Sequence, residues 1–300
     1  MFDPLPGEKS FWIEALSWRG AASWRVLPSA IVVGAFATLI YLLYRFRYPS
    51  LAIEIGPHEV AGVLLGLLLV MRTNAGYERW WEARKLWGGI VNQSRNLALM
   101  ALAHGPRDEQ WRKQIVHWTV AFAYVAKARL RGERQVPELV PLLGEEQAWR
   151  VQASEHMPSW VSLKIDELLR VGCEQHGMDR FAFLQAERER CALLDHLGGC
   201  ERIRNTPLAT VYSITIRRFL LIYLITIPFA LLHKFEEEWL APVTTFLLAY
   251  SVLAVDRIGI ELQRPFTTLS LNHLPLNEIC RNIETNLLAL LKQTEGHPIA

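Results

Sequence analysis

Carboxylates and guanidiniums crowd one short stretch of this chain. Glu78, Arg79, Glu82, Arg84 and Lys85 stand together there, with Trp80 and Trp81 among them. Glu78 and Glu82 are one helical turn apart, which allows i,i+3 and i,i+4 ion pairs on a wet helix, each contributing a few tenths of a kcal/mol. Burial of the same residues between subunits, beside the tryptophans, is the competing reading. Elsewhere reactive residue types occur without a reactive arrangement. HExxH, GxSxG, GxGxxG and Walker-type loops are absent, and no nucleophile, base and orienting group fall at legible spacing, so an enzyme is not expected. Cys173, Cys191, Cys200 and Cys280 form no CxxC, and although His176 follows Cys173 by three residues, no second ligand pair accompanies it. They read as reduced structural thiols, with no metal site and no cofactor. A net charge of +2 without a basic, aromatic-interleaved patch argues against nucleic acid as a partner.

The elements that hold these residues are helices, and several are lipid-like. Hydrophobic residues make up 51% of the 300, unevenly spread. Residues 26–44 carry no charge over nineteen positions, enough to cross a hydrocarbon core of about 30 Å at about 1.5 Å per residue. Residues 239–255 are charge-free, and 219–233 are extended by 207–216 across Arg217 and Arg218. Residues 60–71 are apolar for only twelve positions and run without a break into the Arg-, Glu- and Trp-rich stretch. That continuation must lie among other helices or against water, which suits a pore wall. The chain reads as a four-span membrane protein, with the lipid bilayer as its surroundings. No separate apolar region precedes Val26, so no cleavable signal peptide is expected. The basic flanks, and the acidic loop with Glu236, Glu237 and Glu238, place both termini and the large middle segment in the cytoplasm of a cell (inner) membrane protein, although Arg45 and Arg47 run against that rule.

The expected organisation is a cytosolic N-terminal segment (1–24), two spans (25–71), a cytosolic helical segment (72–206), two further spans (207–256) and a cytosolic C-terminal segment (257–300). Within 72–206, Ile115, Trp118, Phe122 and Val125 mark one face of a helix over 111–131. Residues 131–141 read as a turn region. Pro158 falls in the first turn of the helix that runs over 159–171, Gly172 to Gly177 break it, and a helix over 180–196 is followed by punctuation at Gly198 and Gly199. The tail 294–300 reads as frayed.

The stretch RTNAGYERWWEARKLWGGIVNQSRNLA resembles the signature of bacterial members of the bestrophin family. CERIRNTPL, RRFLLIYLITIPFALL, IELQRPF and LPLNEICRNIE follow in that family's order, so the resemblance covers most of residues 20–290. It implies an all-α, four-span subunit that assembles with itself as a homopentamer around a central pore and passes small monovalent ions. It also implies a neck on the second span at Val63, Leu67 and Met71. Four-residue spacing places these on a shared face, and five copies would stack three apolar rings able to gate by dewetting. Relatives often carry bulkier Ile or Phe there, so this neck is expected to be leakier. Gly62 and Gly66 form a small-xxx-small pair suited to close helix contact beside it. A second, cytosolic constriction maps to Val161, with helix core as the alternative.

Calcium gating is not expected. Animal relatives carry an acidic run after the motif that ends here in Phe266, whereas this chain continues Thr267, Thr268, Leu269, Ser270, Leu271, Asn272, His273, with no carboxylate until Glu278. Ion preference is open. Arg72, Asn74 and Arg79 would favour anions if they face the pore, and Glu78 and Glu82 would favour cations on the same condition. The family implies anions, with a monovalent cation channel or a non-conducting membrane-anchored scaffold as alternatives.

Overall fold

Charge-free runs, helix-capping residues and tertiary packing together fix where the helices run. The computed structural model describes residues 23–208, 210–269 and 272–296. The expectations for the N-terminal segment and signal peptide, for Ser270 and Leu271, and for the tail beyond Gly296 fall outside the described residues. The elements are α1 (Ser23–Phe46), a 3-10 turn (Pro49–Leu51), α2 (Gly56–His104), α3 (Glu109–Arg131), α4 (Leu139–Leu143), α5 (Glu145–Ala153), α6 (Met157–Gln175), α7 (Arg180–Asn205), α8 (Thr210–Lys234), α9 (Leu240–Leu262) and α10 (Leu276–Gly296). No strand occurs among the described residues. Two compact units divide the chain. One is Met1–Arg79 with Pro207–Arg264 and Leu269–Asn272, and the other is Trp80–Thr206 with Pro265–Thr268 and His273–Ala300.

In the first unit α1, α8, α9 and the start of α2 are apolar and long enough to cross a membrane. Small residues set their closest packing. Ala30 and Ala37 on α1 and Ala241, Thr245 and Ala249 on α9 are buried, and a Cβ at Gly34 would lie 3.2 Å from Phe246. This is how helices associate where lipid removes any hydrophobic drive between them. Hydroxyls are satisfied within their own helices, as in Thr226 to the Ile222 carbonyl at 2.8 Å and Thr245 to Ala241 at 2.8 Å. That keeps these hydroxyls from standing bare in an apolar setting. Ile31, Val32, Phe219, Ile222 and Leu247 face outward instead of inward, an apolar surface too extensive for a soluble monomer.

The second unit is built around α3. Asp108 caps it, accepting from the Trp111 N–H at 2.6 Å, and Gly132 ends it in the left-handed region at φ 78°. The single apolar face expected on this helix is too narrow: every residue from Ile115 to Ala128 except His117 is buried, because α6 and α10 also pack on it. One expected break is absent and the other is shorter than expected. α6 runs through Gly172, where the Trp111 ring lies 3.0 Å from the space a Cβ would fill, and α7 runs through Gly198 and Gly199, the latter abutting Leu86. Glycine costs a helix about 1 kcal/mol, and close packing offsets it here. The break between the two helices falls at Gly177, with φ 74°. The expected 131–141 turn region contains the start of α4, with Pro141 inside it.

Candidate functional site

α2 is a 49-residue helix with one packed side and one open side. Within the first unit Leu65, Leu69, Arg72 and Gly76 are buried, at steps of four, three and four residues that hold one line along the axis. Val63, Leu67 and Met71 stand on the opposite side, 67%, 59% and 60% exposed, so the expected neck residues share a face left open by the described residues. They span about 12 Å of helix rise. Gly62 makes the expected close contact, since a Cβ there would lie 3.0 Å from the Tyr223 hydroxyl, whereas none of the described residues comes within 4 Å of one at Gly66.

The polar candidates next to this face separate into two groups. Arg72, expected as a pore-mouth residue, is only 1% exposed and points into the helix bundle. Its guanidinium donates to the Asp256 carboxylate and, at 2.9 Å, to the Ser213 hydroxyl, while Arg217 lies 3.9 Å from the same carboxylate. A second buried carboxylate, Glu261, accepts from Arg25 at 2.8 Å and from Arg257 at 2.6 Å. The Arg79 Nε donates to the Gln263 carbonyl at 3.1 Å. Asn74 and Glu78 remain exposed. Asp256 was missed by sequence reading, although a lone carboxylate closing an apolar span was its signal. Gly76 was missed as well: a Cβ there would lie 2.9 Å from the Gly259 carbonyl, so α2 and α9 cross backbone to backbone.

In the second unit Glu82 pairs with Arg202 of α7 at 2.6 Å, not with a neighbour on its own helix. Val161 has no accessible surface and belongs to the core of this unit with Ile165 and Leu169, so its side chain does not line the constriction expected there. The thiols are free, and burial pushes those of Cys200 and Cys280 up to about 12, which makes them inert, as expected of structural cysteines. Cys191 differs in being exposed. Burial alone would raise the Glu201 carboxyl, but donors from Arg129 at 2.6 Å and His156 at 3.1 Å outweigh it and hold that group below its ordinary range.

A long helix with a bare apolar face, in a bundle that buries Arg72 and Asp256, is joined by a direct comparison. The model of the family described as "Bacterial/Fungal Bestrophin protein" matches residues 6–289. The chain belongs to the bestrophin family. It is 30% identical over 289 residues to the voltage-dependent anion channel-forming protein of Synechocystis sp. (strain ATCC 27184 / PCC 6803 / Kazusa), covering 95% of this chain and 93% of that one. It is 29% identical over 279 residues to voltage-dependent anion channel-forming protein YneE of Escherichia coli (strain K12), covering 93% and 90%. The crystal structure of a bacterial bestrophin homologue from Klebsiella pneumoniae matches at a TM-score of 0.80 with 27% identity, covering 91% of this chain and 98% of that one. This bestrophin is therefore an all-helical membrane protein.

Proposed function

We propose that this bestrophin is the subunit of a homopentameric channel that passes small monovalent anions through an apolar neck formed by Val63, Leu67 and Met71. The observation that carries the reading is the exposed apolar triplet on the side of α2 opposite its packed seam. Five copies around an axis would bury that face and stack it into rings about 12 Å tall. The names of the relatives support anions. Residues 72–206 and both termini lie in the cytoplasm on this reading, in a cell membrane protein whose work is conduction and not catalysis. Thr267, Thr268 and Leu269 offer no carboxylate, in keeping with a channel that calcium does not gate.

One observation favours a cation channel of the same fold. Arg72 is tied into the bundle and Arg79 is bonded to a carbonyl, while Glu78 and Asn74 stay exposed. Single-channel recording of the purified protein across a tenfold KCl gradient separates the readings. Unitary steps that reverse near the chloride potential support the anion channel, reversal near the potassium potential supports the second reading, and silence from a confirmed pentamer favours a scaffold. Met71→Ala is expected to raise conductance or open probability. Unchanged currents would place Met71 against lipid.

A further inference from the structure

A cleft of about 410 Å³ lies between α2 and α10 in the second unit. α2 contributes Arg84, Gly88, Asn92 and Arg95, whose spacing of four, four and three puts them on one side of the helix. From α10 come Asn282 and Asn286 at the lip, with Ile279 and the buried Ile283 beneath them, packed with Val91. Apart from Asn286, the lining falls in two of the stretches that carry the family resemblance, at positions the neck does not use.

The chemistry of the lining is one-sided. Two guanidiniums and three carboxamides surround the space, and no Asp or Glu is among the residues that line it. Several arginines elsewhere in this unit are matched to carboxylates, Arg129 to Glu201, Arg190 to Glu187 and Arg202 to Glu82, while Arg112 and Arg134 are bonded to backbone carbonyls. Among the described residues no carboxylate pairs with Arg84 or Arg95. The Arg84 guanidinium lies 4.0 Å from the point a Cβ at Gly88 would occupy, so the glycine keeps the floor open beneath it. Guanidinium forks and amide N–H groups match the oxygens of a tetrahedral oxyanion, and the aliphatic floor suits an apolar body attached to it. We propose that this cleft binds a phosphate-bearing small molecule. The site is separate from ion conduction and does not depend on the channel reading.

Titration calorimetry of the purified full-length oligomer with inorganic pyrophosphate at low ionic strength tests this. Saturable binding is expected, weakened about tenfold or more by Arg84→Ala and by Arg95→Ala. Asn282→Asp, which places a carboxylate at the lip, is expected to abolish it, and Arg180→Ala at the exposed start of α7 to leave it unchanged. Each variant is first matched to wild type in elution volume and in unfolding temperature without pyrophosphate. Should the arginine variants fail that match, Gly88→Leu decides, because a leucine fills the floor while the helix backbone is unaltered. The proposal is overturned by wild-type protein that shows no saturable heat, as it would be if a neighbouring copy covers the cleft. Undiminished binding by the Arg84→Ala/Arg95→Ala pair or by Gly88→Leu overturns it equally. None of these results bears on whether the protein conducts.

Discussion

The two ends of α2 obey opposite rules. Near its start the helix buries a charged residue, Arg72, and exposes Val63, Leu67 and Met71. Towards its end it buries Trp87, Ile90 and Leu97 and exposes Arg84, Lys85 and Arg95. The geometry is the same in both, since the buried positions follow three- and four-residue steps throughout. Leu65 and Leu69 are buried near the start as well, so only the outward chemistry inverts. An outward-facing surface takes the character of its surroundings, and a helix that reverses its outward character along its own length passes from one medium to another.

That contrast can be broken first at the buried charge. Asp256→Ala strands the Arg72 guanidinium in an apolar bundle and is expected to cost about 3–5 kcal/mol, read as loss of thermal stability in detergent. The joint replacement Arg72→Met with Asp256→Leu should recover most of it. Wild-type stability in Asp256→Ala would mean that Arg72 reaches water and the bundle is not dry there. In the second unit the sensitive groups are apolar. Val161→Ala is expected to cost about 2 kcal/mol with unitary conductance unchanged; altered conductance at full stability would return Val161 to the ion path.

Polar changes in the second unit should be milder. Tyr124 donates to Glu284 at 2.5 Å, and burial together with that bond pushes its phenol up and keeps it protonated. Tyr124→Phe is expected to cost about 1 kcal/mol by chemical denaturation. Smallest of all is the Glu201 effect. Its folded-state pKa lies below the ordinary 4.5, so its contribution is present above that pH and fades as pH falls through the lowered value. A Glu201→Gln variant should therefore lose its deficit relative to wild type only in strongly acidic buffer. A deficit that stays constant there would trace the effect to packing instead of charge.

The spans and the shared face of Val63, Leu67 and Met71 were legible because both depend on neighbours in sequence. A charge-free run declares its length directly, and residues four apart share a side wherever the helix lies. What the sequence hid depends on distant partners. Arg72 reads as a pore-mouth cation until Asp256, 184 positions away, is brought against it. Gly198 and Gly199 read as punctuation until Leu86 packs on the second of them. Val161 sits at helical spacing from Ile165 and Leu169, a pattern that a core and a pore lining share.

The separation between Arg72 and Asp256 also has a bearing on biogenesis. A ribosome adding roughly 5–20 residues per second needs about 10–40 s to travel from one to the other. Through that interval α2 has been made but its guanidinium lacks the carboxylate that will neutralise it, and Ser213 arrives only somewhat sooner, 141 positions on. Until then the nascent helix must hold a cation beside its apolar run, with the side chain stretched towards the lipid headgroups or kept within the insertion machinery. The last span thus acts as a clasp that arrives late and neutralises the second.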